Sequence, residues 1–345
     1  MMKKEPTVLR VWILSDGAQG HISQSQGIVD SLAEAYTLEV TIIPLTVRSR
    51  FWKRLGRLLL SWIFVPEHWL HMVYAIKIPN GERPDLIVSS GANTLLANGL
   101  LAKQYLAVNV YSGRIRGYPA RCYSVIFSVV PEGNVTNNCV LPLPPVPSAI
   151  YRTSPSKATE RVEQKLLLAV LIGGNGAGCV YRENDWRFLA DFLTQSCQKQ
   201  GWKLLLTTSR RTGAEAEAIL KKNIPVDYLE DVVWWSEKPR PVISDFLTQA
   251  NAIVVTEDSL TMIAESIYSR RPVLTCAPQN VSTNANDKAA LMSYESAHLI
   301  RRMTLDESVI GDINLFSVQT SINNPQQFPD IPAMIRAAIH PFLKS

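Results

Sequence analysis

Carboxylates, hydroxyls and a helix start meet in the stretch Thr256-Glu257-Asp258-Ser259-Leu260-Thr261-Met262-Ile263-Ala264-Glu265. Asp258 or Ser259 suits a helix N-cap, which leaves backbone N–H groups and the positive end of a helix dipole aimed above the preceding strand. Such an end binds phosphate or diphosphate. Glu265 lies about two helical turns beyond Asp258, so the pattern puts the two carboxylates on nearly one face. A carboxylate beside an anion site suits ribose hydroxyls. The plainer alternative is that Asp258 and Ser259 only cap a helix.

Three more loops carry chemistry-bearing residues. Ser15-Asp16-Gly17-Ala18-Gln19-Gly20-His21 is a glycine-punctuated turn ending in an imidazole at a helix start, where His21 can act as a general base or hold a substrate hydroxyl. A surface histidine is the alternative. Gly173-Gly174-Asn175-Gly176-Ala177-Gly178 allows close backbone approach, yet it is neither GxGxxG nor a Walker loop, because Cys179 stands where the pattern needs glycine and no lysine follows. Thr207-Thr208-Ser209-Arg210-Arg211-Thr212-Gly213 joins hydroxyls to two arginines, a donor set that suits a diphosphate. Arg114, Arg116 and Arg121 cluster in another loop, which suits either an anionic substrate or plain exposure. Metal chemistry has little support: His68 and His71 have no evident third ligand, and neither HExxH nor a paired CxxC occurs.

The elements that position these loops follow from apolar periodicity. Strands are expected at Val8 to Leu14, Leu38 to Pro44, within Pro84 to Asn93, and at Tyr105 to Tyr111 and Tyr123 to Val130, with helices over Ile22 to Tyr36 and Leu95 to Gln104. Leu141-Pro142-Leu143-Pro144-Pro145-Val146-Pro147 is an extended linker that sets a boundary near 145 to 162. The strand–turn–helix grammar then resumes. Lys165 to Ile172, Trp202 to Thr208 and Ala252 to Val255 read as strands, Glu183 to Gln200 as a long helix, and Pro272 to Ala277 as the strand that closes the sheet. Helices are also expected over Asp287 to Tyr294 and Ile331 to Leu343. The anion-friendly loops after Ile172, Leu206 and Val255 thus fall in one domain and on one sheet edge, where open α/β sheets bind ligands.

The chain of 345 residues, 46% hydrophobic and 19% charged, describes an ordered protein with room for two domains. A net charge of +5 allows anionic partners without demanding nucleic acid. Five scattered cysteines suggest a reduced, cytoplasmic setting, and the start does not read as a signal peptide. No apolar run is long enough to span a bilayer. From Arg48 to Tyr74, however, bases alternate with Phe51, Trp52, Trp62, Phe64 and Trp69, which suits either an anionic membrane surface on the inner face or a buried helix with a basic end.

Taken together, the two α/β domains, the proline-rich hinge and the diphosphate-friendly second domain resemble the GT-B glycosyltransferases. The closer resemblance is to the Elm (elongated mitochondria, "mitochondrial fission") family. It is carried by Asp16-Gly17-Ala18-Gln19-Gly20-His21 with Gln24, Pro84-Asp85-Leu86-Ile87-Val88-Ser89-Ser90-Gly91, Ile172-Gly173-Gly174-Asn175, the Thr207 to Thr212 loop, and Val255 to Glu265 through Arg271-Pro272-Val273. The chain is more distantly similar to the lipid-linked N-acetylglucosaminyltransferase of peptidoglycan synthesis, where a turn ending in histidine opens the acceptor domain and a helix glutamate holds the nucleotide ribose.

The resemblance implies two Rossmann-like domains facing each other across a cleft. An acceptor-side domain is expected over 1–150, a nucleotide-sugar domain over 160–320, and a terminal helix over 321–345 that can return to the first domain. It implies His21 and Asp16 as catalytic, and Gly20, Gln24, Ser90 and Gly91 on the acceptor side. Gly173, Gly174, Asn175, Thr208, Ser209, Arg210, Glu257, Asp258, Ser259 and Glu265 are implied for donor binding. The expected activity is transfer of a sugar from a nucleotide-sugar donor, without metal or cofactor, to an envelope glycan or lipid-linked acceptor. The alternative implied by the plant members is an adaptor that keeps the fold without the chemistry.

Overall fold

A computed structural model describes residues 8–49, 51, 53–55, 60, 68–79, 81, 83–151, 165–306 and 328–343. The chain divides into two compact units, Met1–Ser148 with Pro329–Ser345, and Ala149–Phe328.

The first unit is built on a seven-stranded sheet. Its elements are β1 (Val8–Ser15), α1 (Gln19–Asp30), β2 (Thr37–Val47), α2 (His68–Val73), β3 (Tyr74–Ile76), β4 (Leu86–Ser90), α3 (Leu95–Tyr105), β5 (Val108–Ser112), β6 (Val125–Ser128) and β7 (Asn138–Val140). The strand order is β3-β2-β1-β4-β5-β6-β7, parallel except where β3 runs against β2. Val11 and Ile13 on β1 and Ile87 and Val88 on β4 are fully buried, as expected for central strands covered on both faces. The order reverses between β1 and β4, so the loops after these two strands open a crevice at their carboxyl ends. A buried amide pair fixes the helix behind that crevice. Asn98 of α3 donates to Ser89 Oγ (2.9 Å) and Val110 O (3.0 Å), and Asn109 donates to Asn98 Oδ1 (2.7 Å).

The second unit begins within α4 (Ser148–Tyr151). It contains β8 (Leu166–Leu171), β9 (Cys179–Val180), α5 (Glu183–Gln200), β10 (Trp202–Thr207), α6 (Ala214–Asn223), β11 (Leu229–Val233), α7 (Ile243–Gln249), β12 (Ala252–Thr256), α8 (Leu260–Tyr268), β13 (Val273–Ala277), β14 (Asn280–Val281), α9 (Ala285–Ser296) and β15 (Arg301–Thr304). Six strands form a parallel sheet in the order β11-β10-β8-β12-β13-β15, the Rossmann order. β10, β8 and β12 are consecutive, so the loops after them emerge side by side.

The helix α10 (Ile331–Leu343) belongs to the first unit. Its spacing of four buries Ile331, Ile335 and Ile339 completely, and His340 Nδ1 lies 2.6 Å from Tyr36 Oη.

Several expectations are corrected. The first helix starts at Gln19 and ends at Asp30, because Ala18 is already the extended N-cap; Gly20 and His21 therefore lie within its first turn. Pro272 to Ala277 does not close the sheet, since β15 pairs outside it; the sequence Arg-Arg-Met-Thr has one buried side chain and no apolar alternation to reveal it. Tyr74, the aromatic that ends the stretch expected to suit a membrane surface, is fully buried and donates to Asn93 O at 2.8 Å. Much of that basic–aromatic stretch, including Arg50, Trp52, Arg57, Trp62 and Phe64, lies outside the described residues. Among the described residues no helix is long and apolar enough to cross a membrane.

Candidate functional site

In the first unit, the turn after β1 delivers Asp16 and the first turn of α1 delivers His21, with Nδ1 2.9 Å from Asp16 Oδ1. Asn93, in the turn after β4, donates to the other oxygen of Asp16 at 3.3 Å, and Ala18 N–H donates to Oδ1. Partial burial raises the pKa of Asp16, but the His21 hydrogen bond and charge, with Ala18 and Asn93, outweigh it and hold the carboxyl below its ordinary value. An ionised Asp16 assigns the proton to Nδ1, leaving Nε2 with its lone pair for a hydroxyl. Gly91, at a φ of +89°, gives the imidazole its room: a methyl there would stand 2.2 Å from Nδ1. Gln24, one turn further along α1, places Oε1 3.0 Å from the hydroxyls of both Ser90 and Ser112. These contacts tie α1 to the ends of β4 and β5.

In the second unit, the three loops interlock through the glycine turn. Gly173 N–H donates to Thr256 Oγ1 (2.7 Å), and Gly173 O accepts from Ser209 and Thr212, both at 2.5 Å. Thr256 in turn donates to Asp258 Oδ1 (2.6 Å), and Arg211 Nη2 lies 2.5 Å from Asp258 Oδ2. A side chain on Gly173 would strike the Asp258 carboxylate at 2.1 Å, and one on Gly174 would strike the Arg211 carbonyl at 2.3 Å. Burial pushes the Asp258 pKa up; the Arg211 charge, the Thr256 hydroxyl and the Gly174 N–H offset only part of this.

Ser259 is the N-cap of α8, its hydroxyl accepting from Met262 N–H at 3.4 Å. Asp258 precedes the cap and folds back on the glycine turn, so it does not share a helix face with Glu265, correcting that expectation. Glu265 sits midway along α8 with 7% of its surface exposed.

Three further donor-side candidates face the protein itself, as Asp258 and the Ser209 hydroxyl do. Asn175 Oδ1 accepts from Tyr181 N–H (2.8 Å), and Thr208 donates to Glu217 (2.6 Å). Glu257 takes a two-pronged contact from Arg302, both at 2.8 Å, and a hydroxyl from Thr275 at 2.6 Å. The described loops leave Ser209, the exposed Arg210 and Arg211, and the start of α8 around the sheet's carboxyl edge. Arg302 and Asn93 were not singled out as site-builders from sequence. Asn93 sits inside a strand–turn motif that hinted at it, whereas Arg302 lies 45 residues from Glu257 with no local signal.

A family model described as "Mitochondrial fission ELM1" matches residues 19–308. An uncharacterized protein of Rickettsia prowazekii (strain Madrid E) is 20% identical over 313 residues, covering 80% of this chain and 85% of its own. Among solved structures, Staphylococcus aureus MnaA in complex with UDP is similar with a TM-score of 0.60 at 11% identity, over 96% of this chain and 95% of that one. The UDP-GlcNAc 2-epimerase from Neisseria meningitidis bound to UDP-GlcNAc gives 0.51 at 11% identity, over 98% and 100%. At these identities the likeness establishes the fold: α/β, with two Rossmann-like units as in GT-B proteins.

Proposed function

This chain belongs to the family described as Mitochondrial fission ELM1, and from that premise we propose that it is a glycosyltransferase of the GT-B type, moving a sugar from a nucleotide-sugar donor to an acceptor hydroxyl. The observation that carries the reading is the Asp16–His21 pair, 2.9 Å apart at the switch point of the first sheet. A histidine with its Nδ1 held by an ionised carboxylate is a general base; a protein that only binds partners needs no such arrangement.

In the proposed reaction His21 Nε2 takes the proton of the acceptor hydroxyl as its oxygen attacks the anomeric carbon. Asp16 stabilises the imidazolium that results. The bond from the anomeric carbon to the diphosphate oxygen breaks, and the electron pair leaves with the diphosphate. The start of α8 and the Ser209-Arg210-Arg211 turn stabilise that developing charge, and Glu265 holds the ribose. Gly173, Gly174, Asn175, Thr208, Glu257 and Asp258 hold these loops in place from behind. The solved structures with UDP and UDP-GlcNAc support a uridine nucleotide as the first donor to try. The run of bases and aromatics from Arg48 to Trp69 supports an envelope glycan or lipid-linked acceptor at a membrane surface.

The test is calorimetric titration of nucleotides and nucleotide sugars into the wild type and Glu265→Ala. Binding of one nucleotide family, weakened by about 1–3 kcal/mol in the variant, is the expected result, that being the cost of losing a charged hydrogen bond. If no nucleotide binds to the folded protein, the adaptor reading replaces this one. The inward-facing Asn175, Thr208 and Glu257 favour that second reading, because they hold the second unit's loops together without a ligand.

A further inference from the structure

The hydrogen-bonding groups that would hold a diphosphate in the second unit already hold a carboxylate. Asp258 Oδ1 accepts from Thr256 Oγ1 (2.6 Å), and Oδ2 lies 2.5 Å from Arg211 Nη2. Both oxygens sit so close over the glycine turn that a Cβ on Gly173 would meet them at 2.1 and 2.2 Å. A guanidinium, a hydroxyl and a glycine turn beside a helix start are the parts of a phosphate cradle, and here an internal anion is seated in them.

The two halves of this ion pair differ in freedom. The Asp258 side chain is fully buried, whereas that of Arg211 is 42% exposed. The Arg211 backbone is pinned: its N–H donates to Ser209 Oγ (3.2 Å), its carbonyl lies where a side chain on Gly174 would strike it at 2.3 Å, and Ser209 and Thr212 on either side both donate to Gly173 O. The guanidinium crosses Gly176, where a Cβ would stand 2.9 Å from Nη1. Arg211 can thus change partner by turning its side chain alone, with the loops unmoved. A diphosphate that reaches the exposed side of the guanidinium offers it more charge than one carboxylate does.

What Asp258 does without Arg211 follows from its surroundings. Burial pushes its carboxyl up from the ordinary value, and the Arg211 charge is the largest of the effects that hold it down. Among the described residues, the other titratable groups whose charge it feels are Cys179 on β9 and Tyr181 just after it. Burial first, and the Asp258 charge next, push Cys179 up to about 12 and Tyr181 well above its ordinary value, so both are neutral near pH 7. Glu257, the neighbour in sequence, is bound by Arg302, and Arg210 on the Arg211 turn is exposed to solvent. Deprived of Arg211, the buried Asp258 carboxyl favours its protonated form.

We propose that Asp258 is a latch on the nucleotide-sugar site: the ligand's diphosphate draws Arg211 away from it, and the released carboxyl takes up a proton from solvent. Binding is thereby coupled to pH. The liganded form holds more protons than the free form, so affinity rises as pH falls and levels off once Asp258 is protonated in both. Calling the ligand a nucleotide sugar rests on the transferase reading; the exchange of anions at Arg211 does not.

The test is calorimetric titration of UDP-GlcNAc and, separately, of inorganic pyrophosphate into the full chain at about pH 6 and about pH 8, in buffers of different ionisation enthalpy. Wild type, Asp258→Asn and Arg211→Gln are compared. The diphosphate diester of UDP-GlcNAc does not titrate in this range, and protons exchanged by pyrophosphate itself cancel between wild type and variant. Expected for the wild type is uptake of a fraction of a proton per ligand, read as an apparent enthalpy that shifts with the buffer, and higher affinity at the lower pH. Asp258→Asn should bind about tenfold more tightly, because Arg211 is free and no like charge remains, and should take up no proton. Arg211→Gln should bind about tenfold more weakly and also take up none, since its Asp258 is protonated before the ligand arrives. If Asp258→Asn does not fold, the buffer dependence of wild type and Arg211→Gln carries the decision. Wild-type binding with one apparent enthalpy in every buffer, or a folded Asp258→Asn that binds no more tightly, overturns the latch and leaves the transferase reading standing. Pyrophosphate binding that takes up a proton through Asp258, with no binding of UDP-GlcNAc, keeps the latch and removes the transferase reading. No binding of either ligand to any of the three proteins overturns both.

Discussion

Gly91 and His21 share one volume: a Cβ on the glycine would stand 2.2 Å from Nδ1 and 2.4 Å from Cε1 of the imidazole. Gly91→Ala must therefore either move the ring off Asp16 or distort a turn already at φ +89°. Its expected effect on kcat matches that of His21→Ala, a loss of about 10²–10⁴-fold for a general base. Nucleotide affinity, which we propose belongs to the other unit, is expected to stay at the wild-type value. Steady-state kinetics with calorimetry on both variants checks this, and full turnover by Gly91→Ala would remove His21 from the mechanism.

Asp16→Asn tests the partner of the base. The folded pKa of Asp16 is depressed, so its ionic contribution to stability is present above the unfolded value of 3.8 and is lost as pH falls through the folded pKa. The variant is expected to unfold about 1 kcal/mol more easily at pH 7, the worth of a typical hydrogen bond. That gap should close below pH 3.8. Urea unfolding across that range measures it, and a gap independent of pH would mean that the ion is not what the pair contributes.

At Asp258 the sign is opposite. Burial raises its folded pKa, so the carboxyl contributes stability below the unfolded value of 3.8 that is lost as pH rises through the folded pKa. Arg211 lowers that cost by stabilising the ionised form. With Arg211 42% exposed, the contribution is reduced by solvent, and Arg211→Gln should destabilise by about 1 kcal/mol at neutral pH. The difference should vanish once Asp258 is protonated in acid. Thermal melting of both proteins at pH 7.5 and at a pH below the unfolded value of 3.8 decides it.

Arg302→Met leaves the Glu257 carboxylate, 1% exposed, without its two-pronged cation. Breaking a buried pair from one side costs about 3–5 kcal/mol. Arg302→Met with Glu257→Gln should recover much of that loss, because no charge is then left buried. A double variant as unstable as the single one would show that the pair is not coupled.

The sheet cores and the three ligand-edge loops were legible in the sequence because buried parallel strands such as Ala252 to Val255 are continuous apolar runs followed by polar turns. The edge strands were not. Leu229–Val233 and Arg301–Thr304 are short and half polar, and they are strands because a neighbour supplies the ladder. Asp258 shows a second limit. Its type and position suit a ligand contact, yet the glycine turn after a strand some 80 residues earlier recruits its carboxylate, and no local pattern records that. Lys53 and Arg116 were visible as charges, but only the fold puts them on one pocket.

Because α10 belongs with Met1–Ser148, the first unit is interrupted in sequence by the whole of Ala149–Phe328. During synthesis, at roughly 5–20 residues per second, its last helix emerges on the order of 10–40 s after the rest of it. Through that interval the faces that Ile331, Ile335 and Ile339 will cover stay open to solvent and to chaperones. The second unit, contiguous in sequence, is free to fold first, so the domain carrying His21 is completed after it.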